Sequence, residues 1–153
     1  MKKLSLLLAA LLILSSTVVS AEWETFKSAD GMYEYTKDGV ITAYYGDEFA
    51  FFPAEIDGTK INEIGVMACF DLGLEAISVA EGIELINTNA FEGCNAESAY
   101  IPSSVKNIGE RAFANCTNLN EVTLNSEEIT FDFDVFVGTG FIQFYIPCTA
   151  DEH

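Results

Sequence analysis

This sequence predicts a repeat solenoid: a right-handed coil of about four 22–23-residue units, with a parallel sheet on one face and an N-terminal β-hairpin cap. Three observations predict it. Ile64, Ile86 and Ile108 lie 22 residues apart, as do Ala68, Ala90 and Ala112, and Ile61, Ile83 and Val105. A second apolar pattern, spaced by three and then two residues, runs through Leu74-Ile77-Val79, Ala96-Ala99-Ile101, Leu119-Val122-Leu124 and Phe141-Phe144-Ile146 at offsets of 22, 23 and 22. Finally, Asp38-Gly39 interrupts a run of aromatic and β-branched residues, which signals a hairpin.

Taken in order, the chain opens with Lys2 and Lys3, an apolar run, and the small-residue pattern Val19-Ser20-Ala21. These are the parts of a signal peptide, residues 1–21, with cleavage expected after Ala21. The expected location is therefore secreted or cell surface. Residues 22–60 are expected to form the hairpin cap, built on YEYTKDGVITAYYGDEFAFF at 33–52. Residues 61–147 form the solenoid, and 148–153 a C-terminal tail.

Within the solenoid the two patterns divide the labour. The three-then-two spacing is the strand part of a leucine-rich repeat. One unit cannot bury its apolar face alone, so stacked units share a continuous core. Alanine recurs where backbones come close, and Phe91 and Phe113 fill the space beside it. Gly65 and Gly109 suit a tight bend; Asn87 holds the equivalent place, and asparagine tolerates the left-handed conformation.

The stretch IPSSVKNIGERAFANCTNLNEVTL, residues 101–124, is the cleanest copy. It resembles I-P-x-S-V-x-x-I-G-x-x-A-F-x-x-C-x-x-L-x-x-V-x-L, the motif of the BspA-type leucine-rich repeat family of exported and surface proteins. The resemblance covers about residues 33–147. Other copies depart from it: Cys69 replaces the phenylalanine, Leu72 the cysteine, and Ala96 and Ala99 are weak strand residues. In the last copy Phe131, Val135 and Phe136 stand for isoleucine, alanine and phenylalanine. The resemblance implies a non-enzymatic module associated with adhesion and host or matrix interaction.

Composition narrows the partners. The chain has 24 acidic and 7 basic residues, for a net charge of −17; without residues 1–21, 5 basic residues remain and the charge is −19. Nucleic acid and anionic membrane are excluded as natural partners, because such a surface repels phosphates. The one histidine, His153, is terminal, so Ser–His–Asp and Cys–His catalysis have no positioned imidazole. No phosphate-binding glycine loop occurs. No catalytic, cofactor or metal site is expected. Glu127-Glu128 and Phe131-Asp132-Phe133-Asp134 are read as a solvated face, with phenylalanine inward and aspartate in water, ahead of a calcium site. Two carboxylates could serve a glycosidase, but abundance alone gives that reading no specificity.

Cys94 and Cys116 share one repeat position on adjacent coils. Export permits a disulfide there, yet Leu72 fills the same slot, which favours a ladder of buried thiols. Cys69 is expected in the core and Cys148 exposed and unpaired. Asn115-Cys116-Thr117 fits the glycosylation pattern but is discounted, because Cys116 should point inward. At the C-terminal end Phe131, Phe133, Phe136, Phe141 and Phe144 crowd together. That end either continues into further chain or packs on a partner, end-to-end packing included.

The candidate binding residues are those between the apolar strand positions, which face outward in two stripes. One stripe is Ala76, Ser98, Glu121 and Gln143; the other is Ser78, Tyr100, Thr123 and Tyr145. The expected binding set is Ser78, Ser98, Tyr100, Glu121, Thr123, Gln143 and Tyr145, with a protein or glycan as ligand. The competing reading is a non-binding structural spacer, or a truncated remnant of a larger surface protein.

Overall fold

A computed structural model describes residues 24–126 and 128–146. The expected signal peptide, Glu127, Cys148 and His153 lie outside them. Fourteen short strands and no helix make up the described chain. They are β1 (Thr25–Lys27), β2 (Tyr33–Thr36), β3 (Val40–Tyr44), β4 (Phe49–Phe52), β5 (Glu55–Ile56), β6 (Thr59–Lys60) and β7 (Glu63–Ile64). There follow β8 (Ala76–Val79), β9 (Leu85–Ile86), β10 (Ser98–Ile101), β11 (Asn107–Ile108), β12 (Glu121–Leu124), β13 (Thr130–Phe131) and β14 (Gln143–Tyr145).

Each coil contributes one strand to each of two sheets. The larger faces of the coils stack as β14-β12-β10-β8-β4, parallel throughout. The opposite sheet runs β1-β2-β3-β7-β9-β11-β13. Its first three strands are antiparallel and form the N-terminal cap; from β3 onward the pairing is parallel. The 22-residue period is the physical repeat of this stacking. It keeps Ile41, Ile64, Ile86 and Ile108 in register, and all four are fully buried. On the other side Ala50, Ile77, Ala99 and Val122 form the matching buried column.

The solenoid has about five turns rather than four. Phe49–Phe52, expected within the cap, is the first strand of the five-stranded sheet. Two features hide it in the sequence. Phe49 and Phe51 face outward while Ala50 and Phe52 are buried, so the apolar run masks the alternation. The offset from Phe49 to its partner Ala76 is 27 residues, because the β5–β6 hairpin is inserted. Asp57 and Gly58, both at positive φ (50° and 83°), make that hairpin's turn. The I-G-x-x-A-F segments, expected only to turn and cross, supply the paired strands β7, β9 and β11.

The glycines of those segments serve a different purpose from the one expected. Neither Gly65 nor Gly109 has a positive φ. A Cβ on Gly65 would lie 2.7 Å from the Ile41 carbonyl oxygen, and one on Gly109 would lie 2.7 Å from the Thr88 nitrogen. They are small because the neighbouring coil's backbone is against them. The left-handed positions fall two residues later, at Met67, Asn89, Arg111 and Asp134 (φ 56–58°), and again at Asp71, Gly93, Asn115 and Gly138.

Asp134 also explains why the expected Phe131–Asp134 strand stops early. Only Thr130–Phe131 pairs, and the chain turns at the left-handed Asp134. Phe133 therefore points out, 83% exposed, instead of inward.

Candidate functional site

The parallel register decides which side chains share the outer face of the five-stranded sheet. Phe49, Ala76, Ser98, Glu121 and Gln143 form one row across the coils. Phe51, Ser78, Tyr100, Thr123 and Tyr145 form the second. All seven candidate residues lie on these rows, and the register joins them into one surface. Phe49 and Phe51 extend it; repeat alignment missed them because their strand lies 27 residues before Ala76.

The second row is the more informative. Phe51, Tyr100 and Tyr145 recur every second strand, which at sheet spacing separates them by roughly 10 Å each. Each projects an aromatic ring; Phe51 is 52% and Tyr100 39% exposed. The Tyr100 hydroxyl accepts a hydrogen bond from the Asn125 side chain at 2.5 Å, which orients its polar tip. From the N-terminal cap, the Tyr33 hydroxyl donates to the Phe51 carbonyl at 2.5 Å and ties down the edge strand.

Charge is distributed unevenly around this face. In a chain with 24 acidic residues, Glu121 is the single charged member of the ten outward positions. Acids gather instead along one rim. Glu48, Glu75 and Glu97 precede successive strands, with the Glu75 N–H donating to the Glu48 carbonyl at 2.7 Å and the Glu97 N–H to the Glu75 carbonyl at 2.8 Å. All three side chains are exposed. The site is thus an aromatic, nearly uncharged strip beside a row of carboxylates.

Other chemistry-bearing groups are absorbed by the stack. Cys69, Cys94 and Cys116 are free thiols in the core. Cys94 Sγ donates to the Cys69 carbonyl at 3.0 Å, and Cys116 Sγ to the Phe91 carbonyl at 3.1 Å. Burial pushes the Cys94 thiol up to about 12 and the Cys116 thiol up to about 11. Glu92, unnoticed in the sequence, is buried between coils. It receives Arg111 at 2.5 Å, Asn115 at 3.0 Å and Asn89. The hydrogen bond from Arg111 holds its carboxyl below the usual glutamate range. Asn115, the residue of the glycosylation pattern, is therefore engaged in a contact between coils. Among the described residues, no three His, Cys, Asp or Glu side chains come together as a metal site.

The repeat unit itself identifies the chain. The BspA-type leucine-rich repeat model matches residues 47–152, in 6 copies. The match begins just before Phe49, where the sheet begins. The chain belongs to the BspA-type leucine-rich repeat family. No curated protein matches it. This BspA-type protein is similar in fold to a leucine-rich repeat protein from Bacteroides capillosus: TM-score 0.69 and 22% identity, over 81% of this chain and 99% of that one. Weaker likenesses are to the T. pallidum leucine-rich repeat protein (TM-score 0.42, 20% identity, 73% of this chain and 62% of that one) and to the pneumococcal vaccine antigen PcpA (0.43, 10%, 82% and 50%). The repeat scaffold is of the kind used for protein interaction.

Proposed function

We propose that this protein is an exported, non-enzymatic binding module that holds a protein or glycan partner on the outer face of its five-stranded sheet. The observation that carries this reading is the aromatic strip Phe51–Tyr100–Tyr145 on a face with a single charge. Aromatic side chains give large contact area at low entropic cost, and Tyr adds a polar tip. The adjacent Glu48, Glu75 and Glu97 row favours a partner with basic groups beside its apolar contact, and should speed its encounter. Export is supported by the Lys2–Ala21 leader pattern and by the exported habit of the family that the sequence resembles.

The test is binding of the purified protein to an array of matrix proteins and glycans, beside a Phe51→Ala, Tyr100→Ala, Tyr145→Ala variant. These positions are solvent-facing, so the variant should melt as the wild type does. A saturable hit weakened at least about 100-fold by the triple change supports the reading; losing 2 kcal/mol or more is ordinary for a central aromatic anchor. A hit that the variant keeps moves the site off this face. Silence from a cooperatively folded protein favours a structural spacer.

A further inference from the structure

The C-terminal end of the stack is where the buried columns come to the surface. Phe131 continues the column of Ile41, Ile64, Ile86 and Ile108, but is 44% exposed. Phe144 continues that of Val122 and is also 44% exposed. Between them opens a hollow of about 690 Å³, lined chiefly by Leu124, Phe131, Val135, Phe136, Phe144 and Ile146. Beside it Phe133 and Phe141 stand out, 83% and 89% exposed. The opposite end is closed differently: there Tyr33, Tyr35 and Tyr44 of the hairpin are buried.

We propose that a second copy of this chain covers this end. The two copies meet across a two-fold axis, with the β14 edges antiparallel and the projecting phenylalanines of each seated in the hollow of the other. Three features point to a copy rather than an unrelated occupant. First, knob and hollow lie on the same end, which is the self-complementarity that a two-fold contact requires. Second, the area fits. Phe131, Phe133, Phe141 and Phe144, with Val137 and Ile146, expose on the order of 600 Å² of apolar surface, taking about 200 Å² for a whole aromatic side chain. That approaches the roughly 800 Å² per partner of a standard stable interface.

Third, the backbone is complementary. β13 and β14 are the last strands of their sheets, so each presents an open edge. A two-fold axis pairs like edges antiparallel, without a shift in register family. The residues that follow Ile146 in the sequence, Pro147 to His153, include only Pro147, Cys148 and Ala150 as apolar side chains. None has the bulk of the phenylalanines the hollow matches. Pairing would join the two five-stranded sheets into one, and would place two binding faces side by side.

Asp132 and Asp134 line the same hollow and give the contact a signature. Bringing two copies together brings these carboxylates together, so added salt should tighten the pair by screening them.

The experiment is sedimentation equilibrium on the purified protein across a dilution series, at low and at high salt. Phe133→Ser and Phe141→Ser variants run alongside, with their melting compared at a dilution where all are monomeric. The expected result is a monomer–dimer equilibrium, tighter in salt, whose Kd rises by at least about tenfold in either variant while the melt is unchanged. A single monomer mass at every concentration overturns the proposal. So does a dimer that both variants keep, because its interface then lies elsewhere. Growth beyond the dimer also overturns it, because a closed two-fold contact cannot propagate.

Discussion

Phe113 lies nearly flat on Phe91, with ring centroids 5.2 Å apart and planes 19° from parallel. The contact is one step in an aromatic column that starts at Phe52, 5.3 Å from Phe91, and continues to Phe136, 5.6 Å from Phe113. One ring per coil links each turn to the next, where residues near in sequence would otherwise touch only their own coil.

Phe113→Ala should therefore cost about 3–5 kcal/mol, the usual loss for a buried phenylalanine left as a cavity. That is a large part of the roughly 5–15 kcal/mol that holds a domain folded. Because coils contact only their neighbours, hydrogen exchange should rise first in the strands after the break, β12 to β14, and least in β2 and β3. Uniform loss of protection along the chain would contradict the nearest-neighbour picture.

A methyl group at Gly109 should act through coil spacing. Its Cβ would lie 2.7 Å from the Thr88 nitrogen and 2.8 Å from the Asn87 carbonyl carbon, both backbone atoms that cannot swing aside. Gly109→Ala should destabilise by about 1–3 kcal/mol, as overpacking does. Gly73→Ala is the control: no atom lies within 4 Å of its Cβ and its φ is not positive, so the change should be neutral or slightly stabilising. Urea midpoints of the two variants check both.

Removing the guanidinium from Glu92 should make stability less dependent on acid. Arg111 holds the Glu92 carboxyl below its ordinary value of 4.5. A depressed folded-state value contributes stability that is present above the unfolded value and fades as pH falls through the folded one. Arg111→Ala should cost about 1–2 kcal/mol at neutral pH, since the carboxylate keeps its Asn89 and Asn115 donors. The difference from wild type should shrink below pH 4.5 as Glu92 takes a proton. Paired denaturant titrations at neutral and acid pH measure it, and a constant difference would contradict the role of Arg111.

The three core thiols should be inert in the folded protein. Burial raises Cys69 well above its ordinary value, Cys94 to about 12 and Cys116 to about 11, so the nucleophilic thiolate is scarce at pH 8. Alkylation followed by peptide mass analysis should leave all three unmodified until denaturant is added. Rapid labelling of Cys94 or Cys116 in native buffer would contradict their burial.

Much of this protein was determined by the sequence alone, because a solenoid writes its geometry as a period. A constant 22-residue step keeps Ile64, Ile86 and Ile108 in one column, and alternation within a strand assigns Tyr100, Thr123 and Tyr145 outward. Those are local rules, so local pattern reveals them. The tertiary structure decided what depends on the neighbouring coil. It brought Phe49 and Phe51 onto the face across a 27-residue gap that breaks the period. It reassigned Gly65 and Gly109 from bending to close approach, because the Ile41 carbonyl and the Thr88 amide crowd them from another turn. It gathered Asn89, Arg111 and Asn115 around Glu92, a cluster of residues from two coils that no single repeat contains. Spacing along a chain encodes the stacking of equivalent positions; contacts between unlike positions on adjacent turns arise only once the coils are laid one on another.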